Sequence, residues 1–404
     1  MDAKFPNLRH LRAFLEVSRS HSISIAADLV HLSQPAVTQA ISKLESGLNA
    51  SLFQRGNLGF YTTEIGAKFA WRVERALGLL RQGAKLSYRT DKKGGNRGFT
   101  NFDELATSAQ LRALVAVGQS LSYSVAGRDI GLSQPTIHRS VSNLESLSGL
   151  KLFSRITSGI EPTSAGRILI KHTKLAYAEL QQGMNEISEH KGRNTTVITV
   201  GSLPLARTYI LPKVIHAMVE SSEDVQVHII DGPYNELLRG LRNGDIDCLI
   251  GALRDPAPAE DVVQEALFSD PLTIVAGRHH PLAKGGNMSI KDTLAYPWAA
   301  PPKTTPSGAY LFETLQIEHL LRTPVRVVSS SLVFLRELLA QGDYLTIISQ
   351  HQIKEEIRHG SLVPLPILLA NNERPIGVTL RRDWKATLTQ SRFLDFLRCV
   401  CEDL

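Results

Sequence analysis

Apolar positions in the N-terminal half recur at helical spacing. Leu11, Phe14, Leu15 and Val17 mark a short helix, and Ala26-Ala27-x-Leu29 marks a second, with small residues where helices must approach closely. A turn follows at Val30 to Leu32. Ser33 is suited to an N-cap, and Pro35 falls in a first turn, where its missing N–H costs nothing. A helix is therefore predicted from about Gln34 through Leu44, with Val37, Ile41 and Leu44 facing inward. The segment Arg55 to Thr63 carries Gly56 and Gly59 between short extended stretches, which predicts a two-stranded wing. Past Gly66, the stripe Phe69, Val73, Ala76, Leu77 and Leu80 predicts a helix of about 20 residues, roughly 30 Å long.

The same pattern returns one hundred residues later. Leu11-Arg12-Ala13 recurs as Leu111-Arg112-Ala113, Leu32-Ser33-Gln34-Pro35 as Leu132-Ser133-Gln134-Pro135, and Leu44-Glu45-Ser46 as Leu144-Glu145-Ser146. Leu52-Phe53-x-Arg55 recurs as Leu152-Phe153-x-Arg155, and Thr63 with Gly66 as Thr163 with Gly166. Between Leu11 and Gly66 the ungapped alignment holds 22 identities in 56 positions, so the chain carries an internal duplication. The second copy also runs on into a helical stripe, Ile168, Ile170, Leu175, Leu180 and Ile187. Each copy is a helix-turn-helix with a hairpin at its end.

From Thr196 the pattern changes to alternating strands and helices, which argues a mainly parallel sheet with helices on its faces. Val197 to Gly201, Val225 to Ile230 and Asp247 to Gly251 read as strands around a helical Leu237-Leu238-x-x-Leu241. Leu272 to Ala276, Val325 to Val328 and Tyr344 to Ile348 repeat this in a second lobe. A strand Ile376 to Arg381 and a helix Ser391 to Cys401 return to the first.

Charge sharpens the division. Residues 1–195 hold 25 Lys and Arg against 15 Asp and Glu, a net of +10, and the remainder nets −4. The basic half is the candidate polyanion-binding half. No signal-like segment and no apolar run of membrane-spanning length is present, so a cytoplasmic protein without membrane contact is expected. Cys248, Cys399 and Cys401 match neither a disulfide framework nor a zinc spacing, and no metal or cofactor is expected. Adjacent His279 and His280, expected on opposite faces of a strand, are poorly placed to share a metal. No nucleophile elbow, phosphate-cradling glycine motif or placed carboxylate pair supports an enzyme.

With Val37, Ile41 and Leu44 inward, the helical period turns Gln34, Thr38, Gln39 and Ser42 outward, and Ser33 and Pro35 sit at the helix start. Gln can pair bidentately with adenine, Thr offers a hydroxyl and a methyl, and the helix N-terminus adds phosphate donors. The second copy presents Ser133, Gln134, Pro135, Thr136, His138 and Arg139, so an Arg suited to guanine stands where the first copy has Gln39. The two units are expected to prefer different base sequences. Arg55 and Arg155 open the wings as phosphate or minor-groove contacts, and Ser22, Ser24, Ser122 and Ser124 can donate to phosphates from the preceding helix.

Leu11-Arg12-Ala13-Phe14, Ser22-Ile23-Ser24, Ala26-Ala27, Leu32 to Val37, Leu44-Glu45, Leu52-Phe53-x-Arg55 and Thr63-x-x-Gly66 resemble the N-terminal signature of LysR-type transcriptional regulators, and the second copy resembles it as closely. The C-terminal half, with Gly244-Asp245-Ile246-Asp247 and Gly277-x-x-His280-Pro281-Leu282, is similar to the two-lobed, periplasmic-binding-protein-like effector domain of that family. The departure is the second helix-turn-helix unit, where a family member ordinarily has one. The resemblance implies a multi-domain chain: winged helix-turn-helix units at 1–66 and 105–166, linker helices at 67–90 and 167–194, a flexible linker at 91–104, and an α/β effector domain at 195–404. Lobe I of that domain is expected at about 195–265 and 373–404, and lobe II at about 266–372. The resemblance also implies double-stranded promoter DNA, a small organic effector and RNA polymerase as partners, a homo-oligomer, and lobe closure that resets the linker helices. In the family the linker helix pairs with that of a second subunit. Here the Gly-rich, basic segment Asp91 to Thr100 allows the two helices of one chain to pair instead.

Ligands in open α/β sheets sit beyond the carboxyl ends of strands, near helix N-termini. That rule selects Ser202, Leu203, Pro204, Gly232 and Pro233 from one lobe and Thr304, Thr305, Ser330 and Ser331 from the other. Hydroxyls and helix N-termini suit an organic anion; each of these residues also suits a plain turn or cap. The rival readings are a solute-binding protein, a non-specific DNA-binding protein, and a regulator in which one helix-turn-helix copy serves only as a dimerisation module.

Overall fold

The computed structural model describes residues 6–56, 59–90, 98, 99, 101–157, 159–192, 196–222, 224–317, 324–402 and 404. It forms two compact units, Met1–Thr196 with Asn243–Asp245, and Val197–Arg242 with Ile246–Leu404.

The N-terminal unit repeats one element order. The first copy runs α1 (Leu8–Ser20), α2 (Ile23–Leu29), α3 (Gln34–Leu48), the hairpin β1 (Phe53–Gly56) and β2 (Gly59–Thr62), then α4 (Glu64–Thr90). After a short α5 (Phe102–Leu105), the second runs α6 (Ser108–Ser120), α7 (Tyr123–Ile130), α8 (Gln134–Ser148), the hairpin β3 (Phe153–Ile156) and β4 (Gly159–Pro162), then α9 (Ser164–His190). Ser33 and Ser133 are N-caps accepting from the Ala36 and Thr136 amides, and the prolines sit in the first turns. Val37, Ala40, Ile41 and Leu44 are the buried stripe of α3. That helix continues one turn past the predicted Leu44 and ends at Asn49 in the left-handed region, φ 49°.

Two acids anchor the hairpins. Glu45 Oε1 accepts from the Leu52 and Phe53 amides at 2.7 and 3.1 Å, and Glu145 Oε1 accepts from Leu152 and Phe153 at 2.8 and 3.3 Å. The Thr-x-x-Gly pair that closes each copy has a steric cause. Thr63 accepts from the Gly66 amide at 3.0 Å, and a Cβ on Gly66 would lie 2.0 Å from the Leu52 carbonyl oxygen; Gly166 meets Leu152 in the same way. The long helices therefore begin at Glu64 and Ser164, three residues before the predicted 67 and 167, because the threonines open them. Of the predicted linker, residues 91–97 and 100 lie outside the described residues. Phe102–Leu105 is a helical turn rather than flexible chain, held by the burial of Phe102.

In this structure α4 lies along α9 of the same chain, antiparallel. Gly83 abuts His172 and Gly183 abuts Arg72, and these two contacts exchange under the hundred-residue offset. The pair is thus an approximate two-fold. Leu8 N donates to the hydroxyl of its own counterpart, Ser108, at 3.1 Å, as expected where such an axis passes. One continuous core joins Phe14, Phe69 and Ala76 from the first copy to Leu114, Leu169 and Leu180 from the second. The inward stripe of α9 is Leu169, His172, Thr173, Ala176, Leu180, Gly183 and Ile187, whereas the predicted Ile168, Ile170 and Leu175 are only half-buried.

The C-terminal unit is two α/β lobes joined by long strands. Its elements are β5 (Val197–Ser202), α10 (Leu211–Ser221), β6 (Gln226–Asp231), α11 (Tyr234–Asn243), β7 (Cys248–Ala252), β8 (Val262–Gly277), β9 (Trp298–Ala300), α12 (Pro306–Ala309), β10 (Val325–Val328), α13 (Leu332–Gln341), β11 (Leu345–Ser349), α14 (Lys354–Arg358), β12 (Leu362–Pro364), β13 (Glu373–Arg381) and α15 (Leu388–Glu402). The strand order is β10-β9-β11-β8-β13-β7-β5-β6, with β12 also on β8. β5 is parallel to β6 and β7, and β10 to β9, as the alternating pattern predicted. β8 pairs with β13 along Val262–Pro271 and with β11 along Leu272–Ala276, so the predicted lobe boundary at 265/266 falls inside an unbroken strand. His279 and His280 lie beyond β8, where His280 is a buried helix cap; the strand expected to carry them ends at Gly277 because Pro281 starts a helical turn.

Candidate functional site

The first candidate face is built on α3. Its inward stripe leaves Gln34, Pro35, Thr38, Gln39 and Ser42 exposed, and with Ile23 of α2 they line one open depression of 640 Å³. Within it Gln34 Nε2 donates to the Ser24 hydroxyl at 3.0 Å, and the Thr38 hydroxyl donates to the Gln34 carbonyl at 3.0 Å. Ser22 and Ser33 are half-buried and exposed caps whose hydroxyls accept from the Ile25 and Ala36 amides at 3.4 Å. Ile23 was not singled out in the sequence, although its place beside Ser22 and Ser24 is the signal for it.

The second face differs where the side chains protrude. Tyr123 takes the position of Ile23, and its ring lies 5.0 Å from that of His138. The Ser142 hydroxyl is 3.4 Å from His138 Nδ1, and Ser133 and Thr136 share a hydrogen bond of 2.8 Å. Gln134, Pro135, Thr136, His138 and Arg139 are exposed, as are Ser124 and Ser133, while Ser122 caps α7 by accepting from the Val125 amide. Arg55 and Arg155 are exposed on the first strands of the hairpins, paired with Phe60 and Ile160, and the Arg55 guanidinium stands 5.6 Å from the Phe60 ring centre.

The strand-end residues of the C-terminal unit divide. Ser202 is fully buried and its hydroxyl bonds to the Leu203 carbonyl at 3.3 Å; Leu203 and Pro204 are half-buried. Gly232 and Pro233 are exposed before α11. Thr305 caps α12, accepting from Gly308 and donating to the Pro302 carbonyl, with Thr304 exposed beside it. Ser331 caps α13 and Ser330 is exposed.

A polar cluster absent from the sequence reading sits where β8 passes between lobes. Asp270, fully buried, accepts from the Ser349 hydroxyl, from Arg374 Nη2 and, at 2.8 Å, from His351 Nδ1. Arg374 Nη1 donates to Ser307 Oγ at 2.8 Å. Ser349 ends β11, so the strand-end rule applied to that strand points here; nothing in sequence brings 270, 307, 349 and 374 together.

Comparison with known proteins resolves what these two units are. The description "bacterial regulatory helix-turn-helix protein, lysR family" matches residues 8–67 and again 108–167, and "LysR substrate binding domain" matches residues 191–402. The chain belongs to the LysR family of transcriptional regulators. Among LysR-type relatives, the HTH-type transcriptional regulator GalR of Pseudomonas putida is 31% identical over 381 residues, covering 94% of each chain. PcaQ of Agrobacterium fabrum is 27% identical over 303 residues, 75% of this chain but 97% of its own. The fold resembles full-length OxyR from Pseudomonas aeruginosa, with TM-score 0.54, 21% identity, and coverage of 73% of this chain and 94% of that one. It also resembles CbnR complexed with its target DNA, with TM-score 0.50, 19% identity, and coverage of 72% and 98%. Like its relatives, the chain is a regulator rather than an enzyme, with an effector-binding domain behind its helix-turn-helix region. No helix of the described residues is long and apolar enough to cross a membrane.

Proposed function

We propose that this LysR-type regulator, working in the cytoplasm, reads promoter DNA with both N-terminal units and is switched by a small organic anion in its C-terminal domain. The observation that carries the reading is the recognition face of α3: Gln34, Pro35, Thr38, Gln39 and Ser42 line one open surface on a basic unit. Its counterpart on α8 carries Arg139 in place of Gln39, so the units read unlike half-sites. Arg55 and Arg155 hold phosphates from the wings, with the serine hydroxyls of α2 and α7 beside them.

The effector enters between Ser202, Leu203, Pro204, Gly232 and Pro233 on one lobe and Thr304, Thr305, Ser330 and Ser331 on the other. Support comes from Ser331, the cap of α13, whose first turn supplies donors to an anion. Closure of the lobes resets the DNA-binding units and so changes DNA bend and RNA polymerase recruitment, in a homo-oligomer.

Footprinting on genomic fragments tests the DNA reading: protection at discrete sites supports it, and uniform coverage favours a non-specific binder. A second reading, in which only the first copy reads bases, is favoured by the contacts of His138 with Tyr123 and Ser142, which occupy the second face from within. Footprints spanning one half-site support that alternative.

A further inference from the structure

The two-fold relating α4 to α9 is broken by charge. Arg72 is 1% exposed, yet it is bound on three sides by α9. Its Nη2 lies 2.5 Å from Glu186 Oε1, its Nε 3.2 Å from both Glu186 oxygens, and its Nη1 3.1 Å from Glu179 Oε2 and 3.0 Å from Gln182 Oε1. Arg75 adds a second bond to Glu179 at 2.9 Å. Burial opposes the Arg72 charge, but Glu186 and then Glu179 outweigh it and hold the guanidinium above its ordinary pKa.

The offset gives each partner's counterpart in the other helix. Arg72 corresponds to His172, Glu179 to Leu79, and Glu186 to Leu86. Two α4 helices paired in this register would bury Arg72 against Leu79 and Leu86 with no carboxylate. Two α9 helices would bury Glu179 and Glu186 against His172 with no guanidinium to answer them. A buried charge without its partner is strongly destabilising, whereas the mixed pair satisfies all three. Gly83 and Gly183 stand at equivalent close approaches of the two helices.

We infer that Arg72, Glu179 and Glu186 decide which helix α4 takes as partner: they admit α9 and reject a second α4 or a second α9. The long helices of this chain form a pairing surface that fits only its unlike copy. The two helix-turn-helix units are thereby held as an ordered pair with a defined first and second member, and pairing of like linker helices between identical copies, α4 with α4 or α9 with α9, is disfavoured.

The test uses full-length chains refolded as equal mixtures of ordinary and heavy-nitrogen-labelled protein and treated with a short amine cross-linker. Lys85 and Lys171 fall near one another in the α4–α9 register, whereas an α4–α4 pair would set Lys68 of one chain near Lys85 of the other. Wild type should give Lys85–Lys171 links within single chains. The R72E chain and the E179R/E186R chain should each lose these links about tenfold, and R72E/E179R/E186R should regain them. Refolding R72E together with E179R/E186R should raise mixed-mass Lys85–Lys171 links about tenfold over either alone. The inference is overturned if R72E keeps the wild-type links, if the triple variant loses them as the others do, if the mixture shows no gain, or if wild type gives abundant mixed-mass Lys68–Lys85 links.

Discussion

Gly83 lies so close to His172 that a Cβ placed on it would stand 2.5 Å from the His172 Cβ, and the contact cannot yield because the atom it meets is fixed to the α9 backbone. Gly83→Ala should therefore spread α4 from α9 and cost about 1–3 kcal/mol, more than the helix propensity that alanine brings. Gly78, on the exposed side of the same helix with nothing within 4 Å of a Cβ, is the control: Gly78→Ala should stabilise by up to about 1 kcal/mol. Opposite shifts in the unfolding midpoint of the N-terminal unit are the expected result.

His172 also gives that unit a pH dependence. Burial, helped by the charge of Lys171, holds its pKa below the ordinary 6.5, against the raising effect of its Nδ1 bond to the Ile168 carbonyl at 2.8 Å. The unfolded chain takes up the proton first as pH falls. The contribution is thus complete above about 6.5 and is lost as pH drops toward the lower folded value. Denaturation of the N-terminal unit between about pH 5 and 8 should show this slope, and His172→Leu should flatten it.

The hairpin anchors predict a cost that differs from that of a surface acid. Glu45→Ala leaves the Leu52 and Phe53 amides without their acceptor, and Glu145→Ala does the same to Leu152 and Phe153. Each should lose about 1–3 kcal/mol, and the matching Gln variants, which keep one acceptor oxygen, should lose less. Urea midpoints distinguish the two.

Arg139 and Arg55 should fail in different ways. Arg139→Ala is expected to cost about 1–3 kcal/mol on its preferred site and to relax preference at one base. Arg55→Ala should weaken binding to all sequences alike and reduce the salt slope by about one. Titrations against matched and mismatched duplexes at several salt concentrations separate these outcomes; equal losses everywhere for both would remove Arg139 from base reading.

The duplication, the caps and the helices α3 and α8 were legible because they are local. Ser33 and Pro35 announce a helix start wherever they stand, and Val37, Ile41 and Leu44 show its inner face. That the two long helices could pair within one chain was anticipated; the faces they present to each other were not legible. Ile168, Ile170 and Leu175 look like a core stripe, yet α9 turns Leu169, His172, Thr173 and Ala176 inward because Gly83 and Gly183 set how closely the helices approach. Glu179 and Glu186 were not singled out, because nothing in their own stretch of sequence shows that α4 brings Arg72 against them. Asp270 was missed for the same reason, since its partners at 349, 351 and 374 come from separate elements that only the sheet order unites.

Selection of binding sites from random duplex DNA by the full-length protein tests the central claim most directly. An ordered pair of unlike units predicts a non-palindromic consensus with two different half-sites, one of which loses its base preference in the Arg139→Ala protein. A palindrome of identical halves, or a single half-site unaffected by Arg139→Ala, would contradict it.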